Sequence, residues 1–128
     1  MAIMIETDLL PDRTQGAAER GATRDGILAA RDWLLEQGSD QTDAPSVIEA
    51  MSRQICAGGC LLSRVMVSIR TLHPQVAAIT YAWNAGRDGI DIVERGYSVL
   101  DKDVYLASPI RQIHAGEAII RRRLVDGR

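Results

Sequence analysis

Arg64-Val65-Met66-Val67-Ser68-Ile69-Arg70 sets Val65, Val67 and Ile69 against Arg64, Met66, Ser68 and Arg70. Ala78-Ile79-Thr80-Tyr81-Ala82-Trp83 repeats the period, with Ile79, Tyr81 and Trp83 on one side. A period of two marks half-buried strands, because successive side chains of extended backbone point to opposite faces. The link Leu72-His73-Pro74-Gln75 separates them, since proline cannot continue a central ladder. Gly86-Arg87-Asp88-Gly89 then turns the chain into a third strand carrying Ile90 and Ile92.

Upstream the period lengthens. Ile27, Leu28, Arg31, Leu34 and Leu35 recur at helical spacing, with Asp25 as N-cap and Gly38 as stop. A second helix runs from Pro45 to Ala57 on the stripe Val47, Ile48, Met51 and Ile55, and Gly58-Gly59 ends it. Downstream, Gly96–Ala107 reads as irregular or weakly helical. Ser108-Pro109 opens a short helix through His114, and Ala118–Val125 returns to extended structure with Ile120 and Leu124 inward. Residues 1–22 are broken by Pro11, Gly16 and Gly21 and read as a flexible arm with a short helical turn at Ile3–Leu10. The remaining residues, 23–128, form one domain. Its class is α+β, with two N-terminal helices packed on an antiparallel sheet.

The 128 residues suffice for one compact domain with a sizeable core. With no phenylalanine and 4% aromatics, that core is aliphatic. A net charge of −2 supplies no global basic field, so nucleic acid is not an expected partner. No apolar run approaches the ~20 residues that span a bilayer, so no membrane partner is expected either. The N-terminus interrupts its apolar stretch with Glu6 and Asp8, unlike a signal peptide. Two cysteines are no disulfide framework, so a cytoplasmic location with reduced thiols is the expectation.

Several residues carry a resemblance in chain order. They are Trp33-Leu34-Leu35, Arg64, Arg70-Thr71-Leu72-His73-Pro74, Tyr81 with Trp83, Ser108-Pro109 and Ile120-Arg121-Arg122-Arg123-Leu124. This set resembles the N-terminal region of a family of bacterial class III adenylate/guanylate cyclases, in which a GAF-like sensory module precedes the catalytic domain. The resemblance spans Ile27 to Leu124. It implies a GAF/PAS-like sheet, incomplete at the C-terminus, and a non-catalytic sensory or regulatory module without the cyclase catalytic domain. It also implies a cyclase or other output domain as partner.

The ligand-binding candidates are Arg64, Arg70, His73, Tyr81, Trp83 and Arg122. Arg64 and Arg70 share a strand face with Met66 and Ser68; they either line a small-molecule pocket or pair with Glu49 or Asp91. Tyr81 and Trp83 either floor such a pocket or belong to the core. His73, held extended before Pro74, is either a proton acceptor or haem ligand, or a loop imidazole bonded to neighbouring backbone. Arg122 sits in an arginine triplet that suits anion contact or a solvated edge. His114 in the last turn of its helix suits the negative end of the helix dipole.

No catalytic residue and no metal site is expected, and no cofactor is identified. The two cysteines and two histidines lack zinc-knuckle spacing. Cys56 and Cys60 read as structural thiols, with a redox switch as the alternative. The other readings of function are a ligand-free dimerisation module, with Ile27–Leu35 and Val47–Ile55 pairing across a two-fold axis, and an enzyme working through His73.

Overall fold

The alternating stretches become two central strands, and the helical stripes two helices on one side of them. The computed structural model describes residues 2–7, 17–41, 43–60 and 62–120. In chain order the elements are β1 (Ala2–Thr7), α1 (Ala17–Gln37), a 3-10 turn (Gly38–Asp40), α2 (Ala44–Ala57), β2 (Leu62–Arg70), β3 (Ala78–Asn84) and β4 (Asp91–Arg95). A 3-10 turn (Tyr97–Asp101), α3 (Asp103–Leu106) and α4 (Pro109–His114) follow. The strands form one antiparallel sheet in the order β1-β2-β3-β4. The class is α+β.

Register explains the core. Val65 stands opposite Trp83, Val67 opposite Tyr81 and Ile69 opposite Ile79. Opposed residues of an antiparallel pair share a face, so these six side chains line one side of the sheet. Val65, Val67 and Trp83 are buried there beneath Ile48 of α2. Leu62 joins them although its position has the other parity. The β1–β2 pairing passes from Glu6–Arg64 to Thr7–Leu62, so Ser63 is an extra residue that bulges the strand.

Of the two N-terminal helices, α2 lies on the sheet, against β2 and β3, and α1 lies on α2. This corrects the expectation that both helices cover the strands, and two glycines give the reason. A Cβ placed on Gly26 of α1 would stand 2.2 Å from the Gly58 carbonyl oxygen, and one on Gly58 would stand 2.6 Å from the Gly26 Cα. Bare backbone alone permits this approach. Ala30, one turn along α1, is buried, and so is Ser52 of α2, whose hydroxyl donates to the Ile48 carbonyl at 2.7 Å.

Capping fixes the ends of α2. Asp43 accepts the Ser46 backbone N–H at 2.8 Å, and Pro45 occupies the first turn. At the other end Cys60 N–H bonds the Ile55 carbonyl and Gly59 N–H bonds the Cys56 carbonyl, with Gly59 at φ +88°. That pair of bonds is a Schellman motif, and its positive φ suits glycine. Ser108 caps α4 through the Arg111 N–H at 3.4 Å, with Pro109 next to it.

Three boundaries differ from expectation. The arm expected at residues 1–22 contains β1, paired along the free side of β2. Ile3-Met4-Ile5 is a continuous apolar run, which suits a helical turn or a strand equally; pairing with β2 decides it. Helix α1 begins at Ala17 and runs through Gly21, a residue that costs only about 1 kcal/mol inside a helix. Ala118–Ile120 is not strand. The remainder of the expected extended segment, with Leu124, and residues 8–16 of the arm lie outside the described residues.

Candidate functional site

The face of the sheet turned away from α2 carries Met66 and Ser68 of β2 with Thr80 and Ala82 of β3. Their parity is opposite to that of the buried core residues. Helix α4 contacts β1 and shares a cavity with Met66 and Ser68, which places it on this second face. The cavity holds about 210 Å³, and Ile110, Ile113, Ile120, Met66 and Ser68 are among its lining residues, with Ile3 and Ile5 at the edge strand. The space matches roughly seven water volumes, enough for a compact ring system.

Among the described residues the lining side chains are aliphatic apart from that of Ser68. Ser68 and Thr80 are both buried, and the Thr80 hydroxyl donates to Ser68 Oγ at 3.2 Å. Accepting from Thr80 leaves the Ser68 proton to be donated to a guest. Such a recess favours an uncharged, mostly apolar molecule with one acceptor, since burying an unpaired charge against isoleucine is costly.

Beside the cavity, the Tyr105 hydroxyl and His114 Nδ1 are 2.9 Å apart, and Nε2 is buried with no partner among the described residues. Burial, reinforced by the Arg70 charge, pushes the imidazole below its ordinary value. His114 therefore favours the neutral form, not the partly charged one that its place at a helix end suggests.

The five expected ligand residues that are described do not converge. Tyr81 and Trp83 belong to the layer under α2, where the Trp83 indole N–H finds no acceptor among the described residues. Arg64 and Arg70 stand at opposite ends of β2 on the cavity side. The acids named as their partners are engaged elsewhere: Glu49 with Arg53 at 2.8 Å, and Asp91 with Arg87 at 3.6 Å. Arg64 instead stands opposite Glu6 in the register.

His73 is exposed in the β2–β3 link. Its Nδ1 accepts the Gln75 backbone N–H at 3.1 Å, and its carbonyl accepts the Tyr97 hydroxyl at 3.1 Å. Thr71 closes the same loop by donating to the Val76 carbonyl. The ring is thus bonded to neighbouring backbone. Arg122 lies outside the described residues.

Sequence reasoning placed Met66 and Ser68 on a candidate ligand face but overlooked the isoleucines of α4. The signal was the pair Ile110 and Ile113, three residues apart and so on one helix side, followed by Ile119-Ile120. Among the described residues no cluster of three or more His, Cys, Asp or Glu is placed to hold a metal, and no helix is long and apolar enough to cross a membrane. No family model matches the chain, and neither does any curated protein or solved structure.

Proposed function

We propose that the chain is a non-catalytic, GAF/PAS-like regulatory module that receives a small apolar molecule in the cavity between β2 and α4. Its partner is an output domain of the nucleotide-cyclase kind, and its setting is cytoplasmic cyclic-nucleotide signalling. One observation carries the reading: an aliphatic recess of about 210 Å³ with a buried hydroxyl at its wall, on the side of the sheet that the main core leaves free. Occupancy would shift the population of α4 and Ala118–Ile120 between packed arrangements, and the segment that follows would transmit the change.

The experiment is thermal unfolding of the purified chain across a concentration series of acetophenone, an uncharged, mostly apolar molecule with one carbonyl acceptor. Ligand that binds only the folded state raises the midpoint in proportion to the logarithm of its concentration once sites fill. A rise for the wild type and none for Ile113→Trp, which fills the recess, supports the proposal. Equal rises in both, or none, remove it. Cyclic AMP made by the chain from ATP and a divalent metal would remove its non-catalytic half.

A second reading, a ligand-free homodimer, is favoured by the outer side of α1. Ile27, Leu28 and Leu35 are exposed there, Leu35 by 74%. The other helix named for that interface is committed, since Ile48 and Ile55 of α2 pack into the core. Light scattering that returns the mass of one chain at all concentrations would dismiss the dimer.

A further inference from the structure

The Schellman turn that ends α2 holds both cysteines of the chain. Cys56 sits in the last helical turn, and the bond from Cys60 N–H to the Ile55 carbonyl folds Cys60 back over that turn at 3.2 Å. Both thiols are free, half-buried and packed against the same cluster of Ile48, Leu62, Val65 and Trp83. The two bonds of the Schellman turn tie Cys60 N–H to the carbonyl just before Cys56 and Gly59 N–H to the Cys56 carbonyl itself, which holds both cysteines in one turn, and a disulfide closes over Cα separations of about 4.4–6.8 Å. Burial raises the proton affinity of the Cys60 thiol, and the charge of a Cys56 thiolate adds to it.

The same turn supports α1. Gly58 lies between the two cysteines in sequence and meets Gly26 backbone to backbone. Any covalent lock on this turn acts directly on the platform where α1 sits.

We propose that Cys56 and Cys60 are a reversible oxidation site, closing an intrachain disulfide when the chain meets a small-molecule disulfide. One cysteine thiolate attacks a sulfur of the reagent, forming a mixed disulfide and expelling one reagent thiolate. The second cysteine, as thiolate, attacks the protein-bound sulfur and expels the other. Two cysteine thiols are oxidised, one external disulfide is reduced to two thiols, and the two cysteine protons pass to the released thiolates. The product pins the last turn of α2 and so fixes the Gly58 surface under α1.

The test treats the full chain with oxidised glutathione under native conditions and reads intact mass. The expected product is a monomer lighter by two hydrogen atoms. Its tryptic peptide Gln54–Arg64, which contains both cysteines, takes up no iodoacetamide until dithiothreitol is added. Cys56→Ser and Cys60→Ser each stop at a single glutathionyl adduct. Wild-type chain that carries two glutathionyl groups, forms covalent dimers or keeps two free thiols overturns the proposal, whatever the variants do.

Discussion

The two faces of the sheet differ in kind. Under α2, large apolar side chains close over one another: Val65 is fully buried, Trp83 and Ile48 nearly so. On the other face the strands present Met66, Ser68, Thr80 and Ala82, and a helix of six residues encloses about 210 Å³ with Met66 and Ser68. The first face supplies the stability of the fold. The second buries small and hydroxyl-bearing side chains and keeps a cavity beside them, and a fold can leave space for a guest only where the remaining core suffices to hold it.

The largest contrast should appear on truncating each face in turn. Trp83→Ala is expected to cost about 3–5 kcal/mol of unfolding free energy, whereas Ile113→Ala costs about 1 kcal/mol because the space beside it already exists. Urea unfolding at constant slope measures both. Equal losses would erase the distinction between the two faces.

The glycine crossing comes next. Gly58→Ala places a methyl group against Gly26 backbone, and overpacking of this kind costs about 1–3 kcal/mol. The expected result is a lowered midpoint with loss of amide protection across α1 while β2 and β3 keep theirs, read by hydrogen exchange. Retained protection in α1 would show that the helix does not depend on that crossing.

Caps extend the comparison at smaller scale. Asp43→Ala removes a 2.8 Å bond at the start of α2 and is expected to cost about 1 kcal/mol, while Ser108→Ala loses a 3.4 Å bond at α4 and costs about half as much. The smallest effect is the pH response of the second face. The folded state depresses the proton affinity of His114, so below pH about 6.5 the unfolded chain binds more protons than the folded one. His114 therefore contributes no penalty above that pH, and stability falls as the pH drops from there toward the lower folded value. His114→Gln should flatten the wild-type slope just below pH 6.5, the window opened by its ordinary value and the downward direction of the shift. An unchanged slope would show that the imidazole is not desolvated.

Much of the first face was legible in sequence, because there one property repeats. Alternation in Val65–Ile69 and Ile79–Trp83, the Asp43-Ala44-Pro45 start and the Gly58-Gly59 stop each state a local preference that the fold keeps. The second face was less legible because its determinants are short and depend on distant partners. Ile3-Met4-Ile5 becomes strand only because β2 offers it a free ladder. Ile110 and Ile113 lie on a helix too short to show a stripe, and their role follows from Met66 and Ser68 far back in the chain. The position of α1 was hidden for a different reason. Nothing in the spacing of Ile27, Leu34 and Leu35 reveals that Gly26 will meet Gly58.

The most direct test of the central claim follows methionine methyl signals of the 13C-labelled chain during an acetophenone titration. Met66 is at the cavity and Met51 is on α2, across the sheet. The account predicts a saturable shift of the Met66 methyl with Met51 unmoved, abolished by Ile113→Trp. A shift at Met51 with Met66 silent, or none at either, would contradict it.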